Sequence, residues 1–109
     1  MTLKTVIPRD LAQSDVEAAV DYYMQESGAE LALGFIDALE VAYDLIARHP
    51  QAGSPRFGYE LGLPELRSVS LQRYPYVVFY RDQTDYVDVW RVLHGKRDIP
   101  RTMHEPDSH

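Results

Sequence analysis

The sequence contains no cysteine. This absence excludes a disulfide framework, a thiol nucleophile and every metal site that depends on thiolate ligands. The longest uninterrupted apolar run covers only residues 76–80, whereas a membrane-spanning helix needs about 20 apolar residues. The first ten residues also lack the apolar core of a signal peptide. We therefore expect a cytoplasmic protein with no membrane partner.

Lysine is scarce. Only Lys4 and Lys96 are lysines, and 17 acidic residues outnumber 11 basic ones, which gives a net charge of -6. Tight binding to nucleic acid depends on neutralising phosphates, so this balance argues against direct nucleic-acid binding by the chain alone.

The charge is unevenly distributed along the chain. Residues 1–55 carry three basic and nine acidic groups, whereas residues 56–101 carry eight basic and six acidic ones, a net charge of +2. Seven of those eight basic groups are arginines, whose planar guanidinium suits bidentate contact with carboxylates. One interpretation is an acidic solvated helix face beside a mildly basic sheet. The other is a polarised surface that binds an acidic partner.

The chain length of 109 residues fits one domain. We assign residues 1–101 to a single domain and expect residues 102–109, which are polar and contain a proline, to form a flexible C-terminal tail. No internal repeat or low-complexity segment divides the chain.

Hydrophobic periodicity predicts the secondary structure. Apolar residues recur at helical spacing from Leu11 to about Ser27 and again from Ala29 to Ala47, with Gly28 between the two helices. The segment 49–65 has three glycines and three prolines, shows neither period, and is predicted to be irregular. Strands are predicted at 3–7, 66–71, 76–81 and 86–93, the last with Val87, Val89 and Leu93 on one face.

This order, β-α-α-β-β-β, predicts an α+β fold. The N-terminal strand joins a mainly antiparallel sheet, and the two helices form an antiparallel hairpin on one face of it. The opposite face is then left for function, and it would carry those sheet arginines that point away from the hairpin.

Four blocks of sequence carry a resemblance to a known family. They are DVEAAVDYYMQESGAELALGFIDAL, LIARHPQAGSP, LRSVSLQRYPYVVFYR and VWRVLHGKRDI. In this order and spacing they resemble the ParE branch of the RelE/ParE toxin superfamily, from about Leu11 to Ile99. The family fold, a helical hairpin on an antiparallel sheet, agrees with the fold predicted from periodicity.

The resemblance implies the toxin of a type II toxin–antitoxin pair with a role in plasmid stabilisation. ParE-type toxins inhibit DNA gyrase by binding and are neutralised by a ParD-type antitoxin in a hetero-oligomer. RelE-type relatives instead cut mRNA on the ribosome, so the alternative function is a ribosome-dependent endonuclease.

The residues at the RelE catalytic positions argue against cleavage. Cutting RNA requires basic groups at the phosphate and an acid or base near the 2'-hydroxyl. The resembling positions hold Ser68, Ser70 and Val77, and no tyrosine follows Lys96 and Arg97. A reduced pair of His94 with Arg97 or Arg81 is the remaining catalytic alternative. The simpler role for His94 is a hydrogen bond at the end of the last strand.

We therefore predict no catalytic residue, no metal site and no cofactor. The expected partner-binding surface gathers the positive charge in and after the sheet: Arg67, Arg81, Arg91, His94, Lys96, Arg97 and Arg101.

Overall fold

The computed structural model of the protein describes residues 3–96. The described chain contains β1 (Thr5–Pro8), α1 (Asp10–Glu26), α2 (Ala29–Arg48), α3 (Arg56–Glu60), β2 (Leu66–Ser70), β3 (Tyr76–Asp82) and β4 (Tyr86–His94). The α+β class, the N-terminal strand and the helical hairpin predicted from sequence are confirmed. The boundary between a domain ending at 101 and a tail at 102–109 lies outside the described residues and stays a prediction.

The four strands form one sheet in the order β1-β4-β3-β2. The pairs β2–β3 and β3–β4 are antiparallel, as short turns between consecutive strands require. β1 pairs with β4 in parallel, with Thr5 opposite Tyr86. A parallel pair needs a long connection, which the hairpin and the following strands provide.

The hairpin covers one face of the sheet and builds the main core there. Gly28, with φ of 93°, joins the two helices in a backbone conformation that favours glycine. The buried core on this face includes Phe35, Ile46, Val78 and Tyr80.

The opposite face, called here the outer face, is only half open. The segment 49–65 was predicted to be irregular, but it contains the short helix α3, so that prediction is wrong for residues 56–60. Phe57, Leu61 and Leu63 pack on a second core cluster on β2, β3 and β4. The half of the outer face formed by β1 and the start of β4 keeps exposed apolar side chains, including Ile7 and Tyr86.

A β-bulge changes which side chains of β4 share a face. Phe79 is opposite Arg91, but Tyr80 is opposite Val89, so Trp90 is an extra residue in the ladder. Because of this insertion, Val92 joins Val87 and Val89 on the hairpin side, while Leu93 joins the outer cluster. The prediction that Leu93 shares a face with Val87 and Val89 is therefore wrong.

No helix within residues 3–96 is long and apolar enough to cross a membrane.

Candidate functional site

Arg67 lies on β2 directly opposite Tyr80, on the hairpin side of the sheet. Its guanidinium donates hydrogen bonds to the backbone oxygens of Gln51, at 3.1 Å, and Gly53, at 2.8 Å, and to the Gln51 side chain at 3.0 Å. Tyr80 holds the same loop, since its hydroxyl donates to the Pro50 oxygen and accepts from the Gly53 amide. Burial raises the pKa of Tyr80. Arg67 thus fixes the chain after α2.

Arg91 contacts the first helix. Its Nε and NH2 atoms each donate to one carboxylate oxygen of Asp15 at 2.8 Å, and the same carboxylate accepts the Val92 amide at 3.0 Å. The two side chains are only 23% and 13% exposed. Arg91 therefore joins β4 to α1 instead of projecting from the outer face.

His94 ends β4 and packs its ring against Tyr76, with ring centroids 5.4 Å apart. Its Nδ1 accepts the backbone amide of Lys96 at 3.2 Å. Lys96 is exposed. Arg97 and Arg101, the other two residues of the predicted partner-binding surface, lie outside the described residues.

The pairing register separates His94 from Arg81. His94 is opposite Tyr76 and Arg81 is opposite Asp88, so the two positions are five residue steps apart along β3, about 17 Å of strand. Arg81 also lies on the outer face, whereas Tyr76 belongs to the hairpin core. The two side chains are not placed to act together on one phosphate.

Ser68, Ser70 and Val77 are the residues predicted from sequence to stand where RelE-type toxins have basic residues. Ser68 and Val77 are buried, and the backbone of Ser68 bonds to Ser54 in both directions at 2.9 Å. None of the three supplies a cation or a proton-transfer group.

Arg81 belongs to a cluster around Trp90 on the outer face. The guanidinium carbons of Arg9 and Arg81 lie 4.9 Å and 5.6 Å from the centre of the indole ring, which is within the range of cation–π attraction. The buried carboxylate of Asp88 accepts from Arg9 Nε at 3.0 Å, from Arg9 NH2 at 2.8 Å and from the indole N–H at 3.3 Å. This aromatic and charged group is called here the Trp90 cluster.

A cavity of about 130 Å³ opens beside the Trp90 cluster. Its walls are mostly apolar, and Arg81 and Glu65 provide the charged groups. The lining residues are Leu63, Pro64, Glu65, Leu66, Arg81 and Trp90.

Sequence reasoning did not find Arg9, Asp88 or Glu65. Arg9 and Asp88 are 79 residues apart, and only the parallel pairing of β1 with β4 brings them together. The run of arginines in the second half of the chain was a signal for Arg81, but nothing local to the sequence distinguishes it from Arg67 and Arg91.

The hairpin also exposes apolar side chains that the core does not use. On α2, Leu31, Val41 and Leu45 are exposed and fall on one side of the helix by their spacing of 10 and 4 residues. Leu33 is exposed too, but lies about 200° around the helix from Leu31. An apolar strip on a surface helix is typical of a contact for another chain.

Within residues 3–96, no group of three His, Asp or Glu side chains is close enough to hold a metal ion.

Residues 6–99 match the profile of a family described as the ParE toxin of the type II toxin–antitoxin system parDE. No curated protein matches the chain. Among solved structures, a chain of the chromosomal ParDE toxin–antitoxin system from P. aeruginosa is similar, with a TM-score of 0.71 and 21% sequence identity. The similarity covers 84% of this chain and 96% of that one, and it supports the fold described above.

Proposed function

Because the chain belongs to the ParE toxin family of type II toxin–antitoxin systems, we propose that it inhibits DNA gyrase by binding and not by chemistry of its own. The observation that carries the proposal is the family match across residues 6–99. The residue geometry supports a binding mechanism, since His94 and Arg81 lie apart and Ser68, Ser70 and Val77 offer no catalytic group.

The proposed site on the toxin is the positively charged segment at and after the end of β4, whose sequence contains Lys96, Arg97 and Arg101. Arg67 and Arg91 are expected to contribute less to it, because their guanidinium groups are engaged in hydrogen bonds within the chain. Binding interfaces draw most of their energy from a few anchors, so a single rim arginine contributes little. Replacing Arg97 and Arg101 together removes two charges from the same segment.

The proposed partner in the cell is a ParD-type antitoxin whose acidic and apolar segment folds on the toxin. The exposed strip of Leu31, Val41 and Leu45 supports an apolar contact on α2. Segments that fold on binding cover large surfaces of this kind. Because both proposed partners act in the cytoplasm, we propose that this protein does so too.

The test measures gyrase supercoiling of relaxed plasmid by the purified enzyme. We expect this protein to block supercoiling at amounts close to those of gyrase itself. Arg97→Ala or Arg101→Ala alone should change the inhibitory concentration less than about twofold, and the double variant should raise it about tenfold, which corresponds to about 1.4 kcal/mol. Arg48→Ala is the control, because Arg48 is exposed and pairs with Asp44 on the same helix.

Unaffected supercoiling at excess protein would contradict the proposal. The alternative, a ribosome-dependent endonuclease, has its own readout in expressing cells. Primer extension on translated mRNA would then show toxin-dependent cuts that disappear in His94→Ala, whereas the proposed mechanism leaves translation intact at early times.

A further inference from the structure

Three arginines of the sheet region face carboxylates of this chain, and one of them differs from the other two. Arg9 binds Asp88, and Arg91 binds Asp15, each through both Nε and NH2. Arg81 binds Glu65 through NH2 alone, at 2.7 Å. Its Nε is buried and has no hydrogen-bond partner among the described residues.

An unpaired buried donor is unfavourable, and native structures rarely leave one without a reason. The Nε and NH2 atoms together form the edge of the guanidinium that binds a carboxylate side-on. Arg9 and Arg91 show that this geometry is used twice in the same molecule. Arg81 has half of such a contact and lacks the other half.

Glu65 is suited to being replaced by another carboxylate. It lies just before β2 and its side chain is 73% exposed, so its pairing with Arg81 is a surface ion pair of the weak kind. Its oxygen nevertheless shows where a carboxylate contacts Arg81. A carboxylate from another chain that accepted from both Nε and NH2 would complete the contact.

The cavity beside Arg81 suggests what is attached to that carboxylate. Leu63, Pro64, Leu66 and Trp90 give it apolar walls, and its volume is about 130 Å³. A cavity of about 150 Å³ accepts a molecule of the size of benzene, so this one accommodates one aliphatic side chain. Arg9 also lies against Trp90, but Asp88 balances its charge, so Arg81 is the cation that faces the cavity.

We propose that the cavity and Arg81 form a docking site for an acidic peptide segment of a partner protein. One aliphatic side chain of the segment fills the cavity, and the carboxylate of an adjacent Asp or Glu replaces Glu65 on Arg81. The inference rests on the proposed function in one respect, namely that this toxin acts by binding other proteins. It adds the place and the chemistry of one anchor.

Trp90 is the only tryptophan of the sequence and forms a wall of the cavity, so its fluorescence reports directly on the site. The probe is the peptide acetyl-Leu-Asp-Leu-amide, titrated into the purified full-length protein, with acetyl-Leu-Asn-Leu-amide as the uncharged counterpart. We expect the Asp peptide to bind at least fivefold more tightly than the Asn peptide. Arg81→Gln should abolish this difference.

The decisive variant is Glu65→Gln. It frees Arg81 from its own carboxylate, so we expect it to bind the Asp peptide about three- to tenfold more tightly than the unmodified protein. Glu60→Gln is the matched control, because this substitution removes the same charge. Glu60 is an exposed carboxylate on α3 that pairs with Arg56. Generic electrostatic attraction would change equally in both variants.

Equal affinities of Glu65→Gln and Glu60→Gln would overturn the proposal, as would an unaltered peptide preference in Arg81→Gln protein that keeps its circular dichroism spectrum. Inorganic phosphate that displaces the peptide at similar concentration would show a general anion site and would also overturn it. The titration contains no gyrase. A failure of gyrase inhibition therefore leaves this result standing, and a failure here leaves the gyrase proposal untouched.

Discussion

Asp15 joins the first helix to the last strand. Its carboxylate accepts two hydrogen bonds from Arg91 and one from the Val92 backbone. With both side chains mostly buried, removal of one partner leaves the other charge poorly solvated, and this costs more than the loss of an exposed ion pair.

We predict that Asp15→Ala lowers the free energy of unfolding by about 2–3 kcal/mol, because it removes two charge-assisted hydrogen bonds from the mostly buried Arg91 guanidinium and the acceptor of the Val92 amide. Asp44→Ala, which breaks the exposed Asp44–Arg48 pair within α2, should cost about 0.5 kcal/mol or less. Urea unfolding of both variants measures the difference. Equal midpoints for the two variants would show that the Asp15 contact adds nothing.

Tyr43 makes stability depend on alkaline pH. Burial, together with the nearby Asp15 carboxylate, raises the pKa of Tyr43 to about 12. In the unfolded chain the phenol ionises near its ordinary value of about 10. Its contribution to stability is therefore complete below pH 10 and is lost as the pH rises to about 12.

We predict that Tyr43→Phe reduces the loss of stability between about pH 10 and pH 12. Guanidinium unfolding at several pH values in this range measures it. Tyr59→Phe is the control, because Tyr59 is 72% exposed. Tyr80, whose pKa is also raised, should account for part of the loss of stability in both proteins. If Tyr43→Phe and the unmodified protein lose stability in parallel, the Tyr43 phenol is not responsible.

At the scale of elements, the short helix α3 covers part of the outer face of the sheet, whereas the helical hairpin covers the other face. This helix of five residues covers the part of the outer face formed by β2 and β3, and it lies close to the backbone. Gly58 makes the approach possible. A Cβ atom at Gly58 would lie 2.4 Å from the Leu63 oxygen and 2.6 Å from the Leu66 oxygen.

We predict that Gly58→Ala destabilises the protein by about 1–3 kcal/mol, because the added methyl group pushes α3 from β2. Where there is space for the methyl group, alanine stabilises a helix by about 1 kcal/mol relative to glycine. The sign of the change in unfolding free energy therefore shows whether α3 lies too close to β2 for a methyl group. Thermal unfolding of Gly58→Ala is compared with Tyr59→Ala on the same helix, where we expect a change within about 0.5 kcal/mol. A stabilised Gly58→Ala variant would show that the helix moves freely.

At the scale of the whole molecule, the separation of charge and apolar surface bears on assembly. The first half of the chain carries the excess of acid, and the sheet half carries the arginines. The α2 strip of Leu31, Val41 and Leu45 lies on the hairpin, away from the Trp90 cluster on the outer face. One extended partner that followed the surface from one region to the other would cover both.

We predict that coexpression with an antitoxin encoded beside this protein yields a complex that buries on the order of 2,000 Å² or more. It should survive size exclusion in about 0.5 M salt, where exposed charges are largely screened and apolar contacts persist. Leu31→Glu should weaken the complex at least tenfold. Leu33→Glu is the control, because Leu33 is also exposed but lies about 200° around α2 from Leu31.

Recovery of only the free toxin from the unmodified pair would contradict the predicted complex. Equal weakening by Leu31→Glu and Leu33→Glu would contradict the assigned side of α2.

The sequence by itself determined the class of the fold and most of its elements. Apolar residues recur with a period of two in strands and of about 3.6 in helices, and both patterns involve only residues close together in the sequence. The helices at 10–26 and 29–48 and the three C-terminal strands were therefore predictable. The resemblance of YPYVVFYR and RVLHGKRD also pointed to the family that the profile match shows. α3 was missed because its five residues are too short for a helical period to appear.

The tertiary structure decided what each arginine contacts. Arg67, Arg81 and Arg91 look alike in the sequence, yet Arg67 binds the loop after α2, Arg91 binds α1 and Arg81 lies by the cavity on the outer face. The bulge at Trp90 shifts the alternation of β4 by one residue, and such a shift changes the face of every side chain that follows it. Contacts between residues about 80 positions apart, such as Arg9 with Asp88, depend on strand pairing that no local pattern encodes.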